Sequence, residues 1–228
     1  MFVPDAGPAR PVEIAPGAVR VPGWLTAERQ RELVTACRAW ARGPVPLRHT
    51  ALPNGGVMSV RTVCLGWHWQ PYRYSRTADD VNGARVADFP GWLTELGRAA
   101  LVAAYGESGE AGGTGPAARS YTPDTALINF YDGAARMGMH QDKEERSSAP
   151  VVSLSIGDSC LFRLGNTRTR GRPYTDVRLV SGDLFVFGGP ARLAYHGVPK
   201  VFPGTAGPET GMRGGRLNIT LRETGLTG

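Results

Sequence analysis

The sequence predicts an α+β domain whose core is a double-sheet sandwich or jelly roll, with two preceding helices packed on one sheet. Three patterns favour this fold class. In two N-terminal stretches the apolar residues recur at the spacing of a helix. From Thr125 onward, apolar and polar residues alternate with the period of two that is typical of strands, and turn residues separate these alternating stretches. The 228 residues are enough for one domain with its own core, so we predict a single domain over 1–228.

Two helices are predicted before the strands. Residues 1–43 are expected to form an arm or short edge strands, followed by a helix that Thr26 caps and that ends near Ala41. A second, supporting helix is predicted over 91–105, where apolar residues recur at helical spacing. Both helices then have an apolar face to pack on a sheet.

A lid and an insertion are predicted around the second helix. Residues 44–90, irregular over 44–76, are expected to cover one end of the core, with a strand candidate near Met58–Cys64. Residues 106–120 are rich in glycine and are predicted to be a flexible insertion within the domain.

The jelly roll itself is predicted over 121–225. Short stretches of alternating polar and apolar residues, separated by turn residues, are typical of two packed antiparallel sheets. Eight strands are predicted, over 125–131, 136–140, 150–156, 160–164, 176–180, 183–187, 193–198 and 216–222.

Composition excludes some classes of protein and leaves one question open. No apolar run approaches the ~20 residues of a membrane span, so we expect no membrane association. The three cysteines are far apart and form no CxxC pair, which favours a reducing cytoplasm. A net charge of +6 suits a nucleic-acid partner. However, only Lys143 and Lys200 are lysines, and the resulting 24 arginines among 26 basic residues would also follow from GC-rich coding.

A metal site is predicted from three residues. His140 and Asp142 form an HxD pair, and period two places both on one face at the end of a strand. His196 follows after a gap long enough to return from a partner strand. Two histidines and one carboxylate leave three positions of an octahedral ion open, which is typical of non-haem Fe(II) oxygenases. A catalytic zinc site with these ligands is the alternative.

The C-terminal strand predicts an anion beside this metal. Residues 216–222 alternate without a break, which places Arg216 and Arg222 on one face. If that face lies inside the barrel, the arginines need an anion, and a ligand with two carboxylates such as 2-oxoglutarate would use both. Asn129 and Tyr131 share a strand face and are further candidates to bind it. The alternative is an amphipathic strand whose polar face is in solvent.

These motifs, taken in order, resemble the AlkB family of Fe(II)/2-oxoglutarate-dependent nucleic-acid dealkylases, particularly its bacterial repair enzymes. The resemblance covers roughly 45–225 and implies a double-stranded β-helix core in which 44–90 is a nucleotide-recognition lid. The matching segments are Met58-Ser59-Val60, Leu65-Gly66-Trp67, Leu127–Tyr131, His140–Glu145, Pro150–Ser155, Gly188-Gly189, Arg192-Leu193, Tyr195-His196-Gly197 and the RxNxTxR pattern of Arg216–Arg222.

The resemblance implies Fe(II) and 2-oxoglutarate as cofactors and assigns a role to each candidate ligand. Iron is assigned to His140, Asp142 and His196, the distal carboxylate of 2-oxoglutarate to Arg216, Asn129 and Tyr131, and its metal-chelating end to Arg222 and Asn218.

The resemblance also implies contacts to a methylated nucleic acid. Trp67 would stack on the target base opposite His140, and Tyr72 would contact the substrate backbone. Met58, in a matching segment, and Glu144, beside the HxD pair, would line the base site. Four aromatic residues within 67–74 favour single strands, although a hydrophobic plug over the barrel would show the same pattern. Arg168 lies in a predicted hairpin and would either contact phosphates or belong to a solvated turn.

The implied reaction is oxidative demethylation of N1-methyladenine and N3-methylcytosine in single-stranded DNA, with RNA or duplex DNA with a flipped base as further substrates. Formaldehyde, succinate and CO2 would be released by a monomeric cytoplasmic enzyme. Three departures from the family leave the substrate preference open. Glu144 stands where bacterial members usually have Asp, the stretch from Trp67 to Tyr72 is two residues shorter, and the insertion at 106–120 is unusual.

Two other functions are compatible with the sequence. An Fe(II)/2-oxoglutarate hydroxylase of a small molecule or a protein side chain would keep the same triad and arginines. A non-catalytic nucleic-acid-binding module would keep the jelly roll alone. The aromatic and basic lid argues against the first, and the intact metal triad argues against the second.

Overall fold

A computed structural model describes residues 10–107 and 118–227. It contains two α-helices, α1 (Ala27–Trp40) and α2 (Gly91–Tyr105), at the predicted positions. The cap of α1 is also as predicted, because Thr26 Oγ1 accepts a hydrogen bond of 3.2 Å from the backbone N–H of Arg29. Within the described residues, no helix is long and apolar enough to span a membrane.

The described residues also contain fourteen strands, and all eight strands predicted from Thr125 onward are among them. Their bounds are β1 Val12–Ala15, β2 Ala18–Val21, β3 Arg48–Ala51, β4 Val57–Leu65, β5 His68–Gln70, β6 Arg73–Ser75, β7 Thr125–Tyr131, β8 Met137–His140, β9 Val151–Gly157, β10 Ser159–Gly165, β11 Tyr174–Leu179, β12 Leu184–Phe187, β13 His196–Phe202 and β14 Arg216–Arg222.

The strands form two packed antiparallel sheets and a separate hairpin, which confirms the jelly-roll core. The large sheet has the order β1-β2-β12-β9-β14-β7-β4-β3, and the small sheet has the order β11-β10-β13-β8. Strands β5 and β6 pair only with each other in the described residues. The N-terminal arm adds the edge hairpin β1–β2 to the large sheet.

The central position of β14 divides its residues between two environments. It pairs with β7 on one side and β9 on the other, so Asn218 lies opposite both Asn129 and Ser155. Its apolar residues Leu217, Ile219 and Leu221 belong to the core under the helices. Its polar residues therefore face the space between the two sheets, and all seven residues of the strand are buried.

The region predicted as a lid is only partly outside the core. Strand β4 pairs with β7 from Arg61 to Leu65, so β3 and β4 extend the large sheet. The alternating pattern is weak there because residues 60 and 62–65 are buried, as expected for a strand covered on both faces. Of the predicted insertion 106–120, residues 108–117 lie outside the described residues.

Candidate active site

The three predicted iron ligands converge where β8 ends and β13 begins. His140 and His196 are direct neighbours across these paired strands, with ring centroids 4.4 Å apart. Asp142 follows two residues after β8, and its two carboxylate oxygens lie 3.6 Å from Nε2 of His140 and 3.6 Å from Nε2 of His196. The candidate ligand atoms all lie within 4.8 Å of one another. This arrangement fits one shared divalent ion.

Backbone contacts orient both imidazole rings for metal binding. Nδ1 of His140 lies 2.9 Å from the carbonyl oxygen of Gly138, and Nδ1 of His196 lies 3.0 Å from that of Ala194. A proton shared with a carbonyl stays on Nδ1, so Nε2 keeps its lone pair for a metal. Burial, together with the nearby His140, lowers the pKa of His196 to about 4, so its ring is neutral at neutral pH.

Asp142 belongs to a buried network of two carboxylates and two arginines, which we call the ion-pair quartet (Asp142, Glu145, Arg192 and Arg222). Arg222 lies 2.8 Å from Oδ2 of Asp142 through Nη2 and 2.9 Å from Oε1 of Glu145 through Nη1. Arg192 lies 3.2 Å from Oε2 of Glu145 and donates to the backbone carbonyl of Asp142 at 2.7 Å. The four charges cancel, which reduces the cost of burying them.

The quartet keeps both carboxylates ionised. Burial alone would raise the pKa of Asp142 and of Glu145, but the adjacent Arg222 outweighs it and holds both pKa values below the usual range. The contact of Arg222 with Oδ2 of Asp142 lacks hydrogen-bond geometry, so this buried oxygen has no hydrogen-bond partner. An ionised carboxylate with a free lone pair is a suitable metal ligand.

Arg216 has the environment expected for an anion-binding residue. Only 1% of it is exposed, Nη2 donates to Ser155 Oγ at 3.0 Å, and its guanidinium lies 5.2 Å from the ring centroid of Tyr131. Its Nε and Nη1 are buried and have no hydrogen-bond partner. Two unpaired donors on a buried cation are costly unless an anion occupies the site. The residues present therefore fit the carboxylate of a cosubstrate.

The other predicted cosubstrate residues line the same small cavity. Its volume is about 40 Å³, and it lies between the two sheets. The predicted site residues that line it are Asn129, Tyr131, His140, His196, Arg216, Asn218 and Arg222. Two histidines of the candidate iron triad and two arginines therefore border one internal space.

A larger cleft of about 760 Å³ lies on the opposite face of the large sheet. Apolar residues such as Val34 of α1, Val63 of β4 and Ile128 of β7 line it. None of the three candidate metal ligands borders this cleft. We therefore place the chemistry in the small inner cavity despite its size.

Trp67, the predicted stacking residue, is buried and held by two side chains. Only 6% of Trp67 is exposed, its Nε1 donates to Asp124 Oδ2 at 3.0 Å, and the guanidinium of Arg76 lies 3.7 Å from its ring centroid. It does not border the inner cavity. Arg76 thus covers one face of the Trp67 ring, and stacking of this ring on a base stays a prediction.

Tyr72 and Met58 have different environments. Tyr72 is 74% exposed at the turn of the β5–β6 hairpin, and its φ of 73° is in the left-handed region that favours glycine. A large side chain kept in a strained, exposed position is typical of a contact residue. Met58 lies half-buried in β4, and its carbonyl oxygen lies 2.8 Å from Nδ1 of His49. It does not border the inner cavity.

Glu144 follows the iron candidate Asp142 by two residues, and Arg168 lies in a turn that contacts the same segment. The carboxylate of Glu144 accepts a long hydrogen bond of 3.4 Å from the backbone of Lys143, and burial together with the charge of Glu145 raises its pKa. Arg168 is exposed in the turn between β10 and β11. Gln141, which separates two of the iron candidates, donates to the carbonyl of Thr167 at 3.1 Å, so this turn lies beside the metal site.

The sequence analysis did not identify three residues of the site. Glu145, Arg192 and Tyr74 join Arg222 in one network, and the side chain of Glu145 is fully buried. The only sequence signal was their position inside or beside segments already matched to a family. A Glu-Glu pair does not reveal which carboxylate points inward.

Comparison with known proteins agrees with this geometry. Residues 17–222 match the model of the 2OG-Fe(II) oxygenase superfamily. The alpha-ketoglutarate-dependent dioxygenase AlkB homolog of Caulobacter vibrioides is 36% identical over 220 residues, which cover 94% of this chain and 90% of that protein. The alpha-ketoglutarate-dependent dioxygenase AlkB of Escherichia coli is 35% identical over 186 residues, which cover 79% and 78%.

Plant proteins are also similar. The DNA N(6)-methyladenine demethylase ALKBH1D of Arabidopsis thaliana is 32% identical over 221 residues, or 92% of this chain. The chain spans about half the length of this relative. The structure of OsALKBH1 superposes with a TM-score of 0.81 at 31% identity and covers 93% of this chain and 100% of that one. Fe(II) and 2-oxoglutarate, both predicted above, are the cofactors of the matched superfamily. The chain belongs to the 2OG-Fe(II) oxygenase superfamily and, within it, to the AlkB family.

Proposed function

We propose that the protein oxidatively demethylates N1-methyladenine and N3-methylcytosine in single-stranded DNA and so repairs alkylation damage. Each methyl group, O2 and 2-oxoglutarate are converted to formaldehyde, succinate and CO2, and the unmodified base is restored. The observation that carries this proposal is Arg216, whose two unpaired donors border the cavity that His140 and His196 also border. A buried cation beside a two-histidine, one-carboxylate cluster is what an anionic cosubstrate of an iron enzyme requires.

In this proposal His140, Asp142 and His196 hold Fe(II), which supplies the oxygen activation when bound. Arg216 binds the distal carboxylate of 2-oxoglutarate, and Asn129 and Tyr131 border the same cavity. Burial raises the pKa of Tyr131 to about 12, so its hydroxyl stays protonated.

The metal-chelating end of 2-oxoglutarate is assigned to Arg222 and Asn218. Nε of Arg222 is buried and unpaired, and both residues border the inner cavity. Nδ2 of Asn218 donates to Ser153 Oγ at 2.7 Å, which fixes the orientation of the amide.

A nucleic-acid substrate is supported by the surface around the metal site. Tyr72 is exposed at the turn of the β5–β6 hairpin. Arg168 and Arg170 are exposed in the turn between β10 and β11. An aromatic side chain and free arginines suit a single strand, from which a damaged base is flipped at low cost. Glu144 has a carboxylate available for the exocyclic amine of a cationic methylated base.

The names of relatives support a methylated nucleic acid and add one substrate. Two Arabidopsis thaliana relatives, 32% and 33% identical, are named DNA N(6)-methyladenine demethylases. A tRNA demethylase of Schizosaccharomyces pombe is 37% identical over 81 residues. N6-methyladenine in DNA is therefore the second candidate substrate, and RNA or a flipped base in a duplex remains within the proposal.

The proposed location and state are the cytoplasm and a monomer. Cys37, Cys64 and Cys160 are all buried free thiols, which supports a reducing compartment.

The test is mass spectrometry of oligonucleotides that each carry one lesion, after incubation with Fe(II), O2 and 2-oxoglutarate. We expect loss of the methyl mass from N1-methyladenine and N3-methylcytosine, with formaldehyde in equal amount. Preferential loss from N6-methyladenine supports the second candidate. Consumption of 2-oxoglutarate that no methylated oligonucleotide stimulates contradicts the proposal and favours a hydroxylase of another substrate. Asp142→Ala is the control for activity that does not need the metal site.

A further inference from the structure

One tyrosine joins the β5–β6 hairpin to the ion-pair quartet. Tyr74 lies in β6, two residues after the exposed Tyr72 at the turn. Its hydroxyl donates to Oε1 of Glu145 at 2.6 Å and accepts from Nη1 of Arg222 at 3.2 Å. Among the described residues of the hairpin, Tyr74 is the one whose side chain hydrogen bonds to the quartet. The hairpin and the metal site thus share a short chain of charged contacts.

The quartet continues this chain to a metal ligand by two routes. Arg222 contacts both Glu145 and the carboxylate of Asp142. Arg192 contacts both Glu145 and the backbone carbonyl of Asp142. Because the side chain of Glu145 is fully buried, its contacts are not replaced by water when one of them is lost.

We propose that Tyr74 and Glu145 are positioning residues that couple the order of the β5–β6 hairpin to metal binding at Asp142 through Arg222. Coupling between two sites is reciprocal, so a metal ion that fixes Asp142 also orders the hairpin, and an ordered hairpin tightens metal binding by the same factor. Through the proposed function, contact of a nucleic acid with Tyr72 would then adjust the metal site before oxidation begins.

The hairpin has other attachments, which makes a clean test feasible. Nε2 of His68 lies 2.6 Å from Oδ1 of Asp80, and the ring of Tyr74 packs with Trp69 against a small apolar cluster around Cys64. Tyr74→Phe keeps this ring packing and removes only the hydroxyl. The hairpin therefore stays folded while its contact with the quartet is lost.

The experiment is hydrogen–deuterium exchange of the amides of residues 68–75 in the full chain, without nucleic acid or 2-oxoglutarate. Exchange is compared with and without Fe(II) under anaerobic conditions. A hydrogen bond to a charged group shifts a local opening equilibrium about ten- to a hundred-fold. We expect Fe(II) to slow exchange in the wild type. Tyr74→Phe is expected to exchange about ten- to a hundred-fold faster without metal and to lose the response to Fe(II).

Two further variants complete the test. Tyr72→Phe makes the same chemical change at the exposed tyrosine of the same hairpin and is expected to exchange and respond as the wild type does. Glu145→Gln keeps the size of the side chain, removes its charge and is expected to lose the response as Tyr74→Phe does. A wild-type hairpin that does not respond to Fe(II), or a Tyr74→Phe variant that responds normally, overturns the proposal. Because no substrate is present, failure of the demethylation assay is a separate result that contradicts only the proposed function.

Discussion

Replacing Arg216 by methionine separates cosubstrate binding from protein stability. Arg216 is buried in β14, and its Nε and Nη1 have no hydrogen-bond partner. Without a bound anion, these two unsatisfied donors therefore lower the stability of the folded protein. Each unsatisfied donor costs about 1–3 kcal/mol. Against this, methionine loses the 3.0 Å hydrogen bond to Ser155, worth about 1.5–3 kcal/mol, and the contact with the Tyr131 ring, worth about 0.5–2 kcal/mol.

These contributions nearly cancel. When 2-oxoglutarate is absent, the free energy of unfolding of the Arg216→Met variant is therefore expected to lie within about 2 kcal/mol of the wild-type value. Binding of 2-oxoglutarate is expected to weaken by about 2–5 kcal/mol, or roughly thirty-fold to several thousand-fold, because one partner of a buried charge pair is removed.

The assay is urea unfolding with and without 2-oxoglutarate, together with direct titration of the cosubstrate. Wild-type protein should gain stability with cosubstrate concentration, and the variant should not. Arg213→Met is the matched control, since Arg213 is exposed in the loop three residues before Arg216. A variant that unfolds far more easily without 2-oxoglutarate and still binds it with normal affinity would refute the assignment.

Four other predictions follow from the structure. Tyr72→Gly removes the strain of φ 73° and should leave stability within about 1 kcal/mol of the wild type, while oligonucleotide affinity in fluorescence anisotropy falls roughly ten- to a hundred-fold. Oligonucleotide affinity should also fall steeply with salt, and a flat response would contradict phosphate contacts by Arg168. Glu144→Gln should lower kcat/KM for N1-methyladenine about ten- to a hundred-fold without changing substrate-free consumption of 2-oxoglutarate; equal losses would mean a structural role. Burial lowers the pKa of His68, although its Asp80 partner opposes this. On acidification, the imidazole of His68 is therefore protonated at a higher pH in the unfolded chain than in the folded protein. Stability should then fall as pH drops below about 6.5, and His68→Gln should reduce but not abolish this slope in unfolding measured from pH 7 to 5, because the buried His196 contributes in the same direction.

The jelly roll was predictable because its strands carry strong local patterns. β14 alternates over all seven residues, so its bounds and the division of its faces follow from period two alone. The metal cluster was predictable for a similar reason, since His140 and Asp142 lie two residues apart and the chain has only four histidines. That His140 and His196 are direct cross-strand neighbours depends on the pairing of β8 with β13, which no local pattern specifies.

The parts that could not be predicted depend on contacts between distant segments. Glu144 and Glu145 are adjacent and chemically alike, and only the positions of Arg192 and Arg222 make the second one the buried partner. Trp67 shows the same limit. Its sequence context does not reveal that Arg76 covers one face of the ring in the folded protein.

The arginine content can be interpreted once each side chain is placed. Several arginines are occupied within the protein, including Arg20 with Asp183, Arg163 with Asp176 and the two arginines of the quartet. These pairs neutralise carboxylates inside the protein, so their arginines are not available to the phosphates of a nucleic acid. Arg168 and Arg170 are exposed, and neither forms an ion pair within the described residues, yet their turn is held beside the metal site by Gln141. A coding bias would place free arginines without regard to the metal site, whereas phosphate binding requires them near it. The position of this turn therefore favours a nucleic-acid partner more strongly than the net charge does.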